Sequence, residues 1–331
     1  MITSKNILQP SLKLFLGNFN NQLIKKMKFK HTKQILKNSS SILLGLALIG
    51  CGSNNTNQAT NQNSSSSKTM IQNAGSDTMV NLAQAWAENY AKVKPEVSIE
   101  VSGGGSGTGI AALINGTTDI ANCSRAMKAA EQQKAKDASS KDPKEHIMGY
   151  DALAVYVHKD CPLEELSLEQ LAEIYGENGT ITKWSELGIT IPGCTSDEII
   201  RVSRQSSSGT FAYFREAVLG KERDYKLGSR DMHGSKEVVE LVQNTPCAIG
   251  YSGMGYATPE VKMLKISKTV GAEAYAPNVE NTIAKTYPIA RPLFVYSLGE
   301  PEGALKDYID WCLGEEGQRI VNDSGYVSLS N

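Results

Sequence analysis

From about residue 70 to the C-terminus, strand-like and helix-like segments alternate, and this alternation restricts the chain to an α/β fold with largely parallel sheets. A helix from about Thr78 to Val93 presents Met79, Leu82, Ala83, Trp86, Ala87 and Tyr90 on one face and ends at Lys94-Pro95. Val97, Ile99 and Val101 then alternate as a strand, and a short apolar helix runs through Ile114. Asp119 to Cys123 reads as a strand, 126–144 as a solvated helix and 147–158 as a long strand. Ser167-Leu168-Glu169-Gln170 is a capping-box pattern opening a helix through Ile174, with Gly176 past its end. Ile199 to Ser203 predicts another strand, followed by the polar loop RQSSSGT and a helix carrying Phe211, Phe214, Ala217 and Val218, stopped at Gly220. Beyond it lie a helix near 235–243, strands near 247–251, 261–266 and 293–297, and C-terminal helices carrying Leu305, Ile309, Cys312 and Ile320. At 331 residues, the chain suits one large or two modest domains.

The N-terminal region has a different composition. From Met27 the chain carries lysines 28, 30, 33 and 37, then an apolar run from Ile42 to Ile49, then Gly50-Cys51, the order of a secretory signal peptide. Leu48-Ile49-Gly50-Cys51 resembles the bacterial lipobox, in which the cysteine receives lipid. Residues 1–50 are therefore expected to be a signal, with translation starting at Met27, and residues 51–69 a lipidated Cys51 followed by a flexible tether. The segment GSNNTNQATNQNSSSSK has no aromatic or branched aliphatic side chain to bury and would reach on the order of 20 Å. The expected location is extracytoplasmic, anchored to the cell membrane by lipid alone. No apolar stretch reaches the roughly 18 to 20 residues of a membrane-spanning helix.

Thirty-four basic against thirty-five acidic residues give a net charge of -1, without the positive excess typical of nucleic-acid binders. Beside Cys51 stand Cys123, Cys161, Cys194, Cys247 and Cys312, with no C-x-x-C pair or His/Cys cluster to suggest a metal, and no cofactor motif is present. An exported chain permits disulfides, and Cys161, Cys194 and Cys247 lie in one region of the chain; the pairing is open.

Three loops share one design, a Ser/Thr/Gly stretch feeding a helix: Gly75-Ser76-Asp77-Thr78, Gly105-Ser106-Gly107-Thr108 and Arg204-Gln205-Ser206-Ser207-Ser208-Gly209-Thr210. A helix N-terminus exposes unpaired N–H groups and the positive end of the helix dipole, and hydroxyls add donors that can also accept. Each loop taken singly is an ordinary N-cap. Three of them after strands, with Arg204 opening the last and Ser124-Arg125 ending another strand, point to a tetrahedral oxyanion at the carboxyl ends of an open sheet.

On these motifs the chain resembles the phosphate-binding proteins of bacterial phosphate ABC importers, which have a two-lobed type II periplasmic-binding-protein fold. The resemblance runs from about Met70 to the C-terminus over AGSDTM (74–79), GGGSGTGI (103–110), DIANCSR (119–125), SRQSSSGT (203–210), AIGYSG (248–253) and YPIARPL (287–293). It implies one lobe of 70–154 plus 288–331 and an inserted lobe of 155–287, with hinge crossings near 151–157 and 288–292. It also implies that phosphate is held by Ser76, Asp77, Thr78, Ser106, Ser124, Arg125, Arg204, Ser206, Ser208, Gly209 and Thr210. Better-known members carry aspartate at the positions of Ser124 and Ser206; Ser124-Arg125 looks like a second branch, also associated with phosphate. Asp77 is then the candidate acceptor for the proton that distinguishes hydrogen phosphate from sulfate. The implied partners are inorganic phosphate and separate ABC permease subunits with their ATPase, since this chain has no G-x-x-x-x-G-K-[ST] loop; the implied state is monomeric.

Other readings are a receptor for sulfate or molybdate, a phosphate sensor, and a secreted serine hydrolase or phosphatase. Against the hydrolase, the G-x-S-x-G elbow fails around Ser106, Ser208 and Ser252, where Thr108, Thr210 and Met254 replace its last glycine. The expectation is a binding protein, not an enzyme.

Overall fold

The computed structural model describes residues 68–330. The expected signal peptide, Cys51 and nearly all of the tether lie outside the described residues. The strands are β1 (Thr69–Gly75), β2 (Val97–Ser102), β3 (Ile120–Cys123), β4 (Pro143–His158), β5 (Glu165–Ser167), β6 (Ile200–Arg204), β7 (Arg230–Met232), β8 (Ala248–Gly253), β9 (Val261–Met263), β10 (Lys265–Ser267) and β11 (Ala290–Leu298). The α-helices are α1 (Val80–Val93), α2 (Ser106–Ile114), α3 (Ala129–Ser139), α4 (Leu168–Tyr175), α5 (Gly209–Phe214), α6 (Ser235–Gln243), α7 (Val279–Ile283), α8 (Gly303–Leu313) and α9 (Glu315–Asp323).

The main sheet runs β2-β1-β3-β11-β4-β8-β6-β7, with β9 also on β4, and β5 pairs with β10 separately. Its flanks are parallel, as strand–helix alternation demands: β2-β1-β3 on one side and β8-β6-β7 on the other. The middle is antiparallel, which alternation alone did not reveal. There the long strand β4 pairs with β11 over Pro143 to Ala152 and with β8 over Leu153 to Val157. One strand thus belongs to both halves of the sheet, its partner changing between Ala152 and Leu153. This is the two-lobed type II periplasmic-binding fold.

Each half has its own apolar core. In one, Leu82, Trp86 and Tyr90 of α1 pack on Ile71, Ile120, Leu293 and Val295, joined by Tyr308 and Ile320 of the C-terminal helices. The indole N–H of Trp86 donates to the Gly317 carbonyl at 2.8 Å, so burying this large side chain strands no donor. In the other, Leu171, Ile174 and Tyr175 of α4 meet Trp184, Phe214, Ile249, Tyr251 and Tyr287. Val238, Val239 and Val242 of α6 cover the opposite face of that half.

Several boundaries moved for local reasons. The helix expected over 126–144 is α3, ended by Ser140 in the left-handed region (φ 58°), because β4 already pairs with β11 at Pro143. The strand expected over 261–266 divides into β9 and β10, which pair with β4 and β5 respectively. The helix through Val218 becomes a π turn over Arg215–Leu219 before Gly220. Cys194 and Cys247 form a disulfide, while Cys161 is buried as a free thiol. Among the described residues no helix is long and apolar enough to cross a membrane.

Candidate functional site

Where β1 and β3 end, Gly75 takes φ +141°, and a Cβ there would lie 2.2 Å from the Asn122 carbonyl oxygen, so only glycine allows this approach. The chain then turns so that Ser76 N donates to Asn122 O at 2.8 Å. Gly105 N donates to Gly75 O at 2.9 Å, which ties the second loop to the first and sets α2 to begin at Ser106. Three buried serines meet as a result. Ser76 Oγ donates to Ser124 Oγ at 2.9 Å, Ser124 N donates to Ser106 Oγ at 3.0 Å, and the hydroxyls of Ser106 and Ser124 lie 3.4 Å apart.

The loop after β6 closes on these serines from the other half. Ser208 caps α5, accepting from Thr210 N at 3.1 Å and Phe211 N at 3.3 Å. The Thr210 and Thr78 hydroxyls are 2.8 Å apart, and Gly107 N donates to Ser207 O at 2.9 Å. A Cβ on Gly209 would lie 2.2 Å from Ser106 Oγ and 2.7 Å from Ser124 Oγ.

Two buried guanidinium groups flank the hydroxyls. Arg204 is 1% exposed; it donates to Ser235 Oγ (2.9 Å), the His233 carbonyl (3.0 Å) and Asp77 Oδ2 (3.2 Å). Its Nε is buried with no hydrogen-bond partner, an unusual state for so polar a group. Burial pushes its pKa below the ordinary value and Asp77 pulls it back; a guanidinium remains protonated regardless. Asp77 Oδ1 accepts from Gly104 N at 2.9 Å, and the Tyr256 hydroxyl donates to the Asp77 carbonyl at 2.6 Å.

The second guanidinium belongs to Arg291, which the sequence reading missed. Its Nε and Nη2 reach Asp151 Oδ2 at 3.0 and 2.8 Å, Nη1 donates to the Ser124 carbonyl at 3.0 Å, and Nη2 to Thr210 Oγ1 at 3.0 Å. Both side chains of the Arg291–Asp151 pair are fully buried. The available signal was a basic residue inside the otherwise apolar YPIARPL stretch, but it lies on β11 rather than in a Ser/Gly loop.

Of the residues predicted for the site, Ser76, Asp77, Thr78, Ser106, Ser124, Arg204, Ser208, Gly209 and Thr210 converge. Arg125 and Ser206 stand apart. Arg125 Nη1 and Nη2 each donate to a carboxylate oxygen of Glu131 at 2.8 Å, a bidentate pair made beside, not within, the hydroxyl cluster. Ser206 is exposed at the tip of its loop. Both line a cleft of about 790 Å³ between the halves.

Each hydroxyl can donate one proton and accept through two lone pairs, so the cluster can turn donors toward an oxyanion while Asp77 retains acceptor capacity. The formal charges of Arg204 and Arg291 are matched by Asp77 and Asp151. An anion here would be held by directed N–H and O–H dipoles inside a neutral frame. Among the described residues no group of three or more His, Cys, Asp or Glu is arranged to hold a metal ion.

Comparison with known proteins fits this geometry. The profile of the PBP superfamily domain matches residues 56–316. The phosphate-binding protein PstS of Pseudomonas aeruginosa is 34% identical over 270 residues, covering 78% of this chain and 83% of that protein. The chain belongs to the PBP superfamily, in its PstS family. The PstS of Bacillus subtilis is 30% identical over 259 residues, covering 78% of this chain and 80% of that protein. A Clostridium perfringens structure, described as a phosphate ABC transporter substrate-binding protein with bound phosphate, superposes with a TM-score of 0.69 at 32% identity. The match spans 79% of this chain and 100% of that one. A Vibrio cholerae phosphate transport receptor gives 0.61 at 26% identity, over 78% of this chain and 99% of that one.

Proposed function

We propose that this PstS-family chain is a substrate-binding protein that captures inorganic phosphate between its halves and hands it to an ABC importer. The observation that carries the reading is the buried hydroxyl cluster closed by Thr210 and Gly209 from one half onto Ser76, Thr78, Ser106 and Ser124 of the other, beside an Arg204 Nε without a partner. A buried donor with nothing to bond is costly, and a phosphate oxygen would satisfy it. The function named for the Pseudomonas and Bacillus relatives, and the phosphate bound in the Clostridium structure, support the same ligand.

In this reading the contacts are Ser76, Thr78, Ser106, Ser124, Ser208, Gly209, Thr210 and Arg204, with Asp77 accepting the phosphate proton. Arg291 joins as a second cation, and Arg125 and Ser206 act from the rim. The lobes are 70–154 with 288–331 and 155–287, closing about β4 and β11. Binding and closure make or break no bond, so the chain is a receptor and not an enzyme. It acts outside the membrane as a monomer, anchored through lipid on Cys51, and docks on permease subunits that carry their own ATPase. The test is calorimetric titration of a soluble form beginning after Cys51, stripped of ligand, with phosphate and then sulfate. Tight binding of phosphate alone supports the assignment; binding of sulfate, or of neither, overturns it.

A further inference from the structure

The loop from Arg204 to Thr210 is pinned at both ends by one chain of hydroxyls. Ser203, immediately before Arg204, brings its Oγ to 2.6 Å from the Tyr251 hydroxyl. The Tyr251 hydroxyl donates to the Tyr225 hydroxyl at 2.9 Å, and that of Tyr225 donates to the carbonyl of Phe211, immediately after Thr210, at 2.8 Å. The direction of the chain follows from its far end. A carbonyl can only accept, so the Tyr225 proton goes to Phe211, the Tyr251 proton goes to Tyr225, and Ser203 Oγ must donate the remaining bond. Burial pushes the Tyr251 hydroxyl up to about 12 and that of Tyr225 well above its ordinary value, so both protons stay in place at neutral pH.

The rings hold these hydroxyls in line. Tyr251 stacks on Phe214 with centroids 3.8 Å apart, Tyr225 packs on Phe211 at 4.4 Å, and the Tyr225 and Phe214 planes lie within 12° of parallel. The main chain beside Tyr225 is tied to the end of α4: Glu177 N donates to the Asp224 carbonyl at 2.6 Å, and Lys226 N to the Tyr175 carbonyl at 2.7 Å. The loop is therefore fastened to a rigid anchor. Every member of the chain lies in the half that contains β6 and β8. The loop's contacts with the other half, Thr210 to Thr78 and Ser207 O to Gly107 N, exist only when the halves meet, whereas the hydroxyl chain needs no closure.

We propose that Tyr225 and Tyr251 are positioning residues that set Ser208, Gly209 and Thr210 in their receiving geometry before the anion arrives. The proposal rests on the phosphate reading above and adds to it the groups that shape the receiving loop. Neither tyrosine hydroxyl belongs to the cluster that would meet the anion; each acts through the loop. A loop already ordered spares the ligand the entropy cost of ordering it, so loss of the chain weakens binding without removing a ligand contact. Tyr175 supplies the contrast. Its ring packs edge-on against Tyr251 and Phe214, but its hydroxyl donates to the Ile249 carbonyl at 2.9 Å, with the Val202 carbonyl at 3.3 Å, both within strands and outside the loop.

The experiment compares wild type, Tyr225→Phe, Ser203→Ala, their double variant and Tyr175→Phe, each stripped of ligand. It reads melting temperature, calorimetric titration with inorganic phosphate, and hydrogen exchange over residues 204–211 without ligand. Tyr225→Phe and Ser203→Ala should each weaken phosphate binding about three- to tenfold and speed exchange in the loop. The double variant should bind about as well as either single one, because Ser203 and Tyr225 act through one chain. Tyr175→Phe should lower the melting temperature about as much as Tyr225→Phe, yet keep wild-type phosphate affinity and loop exchange. Wild-type affinity and exchange in Tyr225→Phe and Ser203→Ala overturn the positioning role and leave the phosphate reading intact. Equal weakening in Tyr175→Phe also overturns it, since the effect would then be a general softening of the core. Failure of wild type itself to bind phosphate overturns that reading, and the role in binding with it.

Discussion

At the level of single residues, Arg204 is the position on which binding depends most. Its three occupied contacts fix the guanidinium plane, and Nε is the nitrogen left without a partner. Charge-assisted hydrogen bonds are worth about 1.5 to 3 kcal/mol each and more when desolvated, so Arg204→Ala should lower phosphate affinity by about ten- to a hundredfold or more. Arg204→Lys keeps the charge but loses the fork and should recover only part of it. Titration calorimetry checks both, and unchanged affinity in Arg204→Ala would remove the residue from the site. Asp77 differs because its two oxygens already serve Gly104 N and Arg204. In Asp77→Asn one acceptor becomes a donor, so the bond to Gly104 or to Arg204 is lost, and the group can now donate to sulfate. Phosphate affinity should fall while sulfate binding rises; selectivity that survives the change would place the proton acceptor elsewhere.

Secondary-structure elements differed in how readable they were, for physical reasons. The Ser167 box was legible because all its information is local: Ser167 Oγ accepts from Gln170 N at 3.0 Å, and Gln170 Oε1 accepts from Ser167 N at 2.9 Å. Ser167→Ala should therefore cost about 1 kcal/mol, seen as a modest drop in melting temperature with binding retained. The loops at Ser76, Ser106 and Ser208 were legible for the same reason, since a glycine and a hydroxyl before an apolar helix can be read without knowing what they face. What stayed hidden was non-local. The antiparallel return of β11 between β3 and β4, and with it the burial of Arg291 against Asp151, depends on pairing across well over a hundred residues of chain. The Cys194–Cys247 bridge is another such case: spacing allowed several pairs, and only the approach of their Cα atoms to 5.2 Å selects one. Its sequence separation of 53 gives a loop-closure estimate of roughly 4 kcal/mol, so Cys194→Ser/Cys247→Ser should melt well below wild type by scanning calorimetry. An unchanged melting temperature would mean that the bridge adds nothing to the inserted half.

For the whole molecule, the decisive contacts are those that exist only when the halves are together. Thr78 meets Thr210, Gly107 N reaches Ser207 O, and the backbone at Gly209 presses against the hydroxyls of Ser106 and Ser124. None of these residues belongs to either of the two large apolar cores. A change that blocks the approach should therefore leave both halves folded and remove only closure. Gly209→Ala is that change, because its methyl would sit 2.2 Å from Ser106 Oγ, well inside contact distance. A ligand can shift an open–closed equilibrium only by its difference in affinity for the two states. Phosphate should accordingly compact the wild-type protein and raise its melting temperature, since it binds the closed state most strongly. In Gly209→Ala, the circular dichroism and the ligand-free melting temperature should stay near wild type. Phosphate should then produce neither compaction in small-angle scattering nor thermal stabilisation. If Gly209→Ala compacts normally with phosphate, the loop has room to shift aside, and closure is governed by the crossing strands β4 and β11 and not by contact across the cluster.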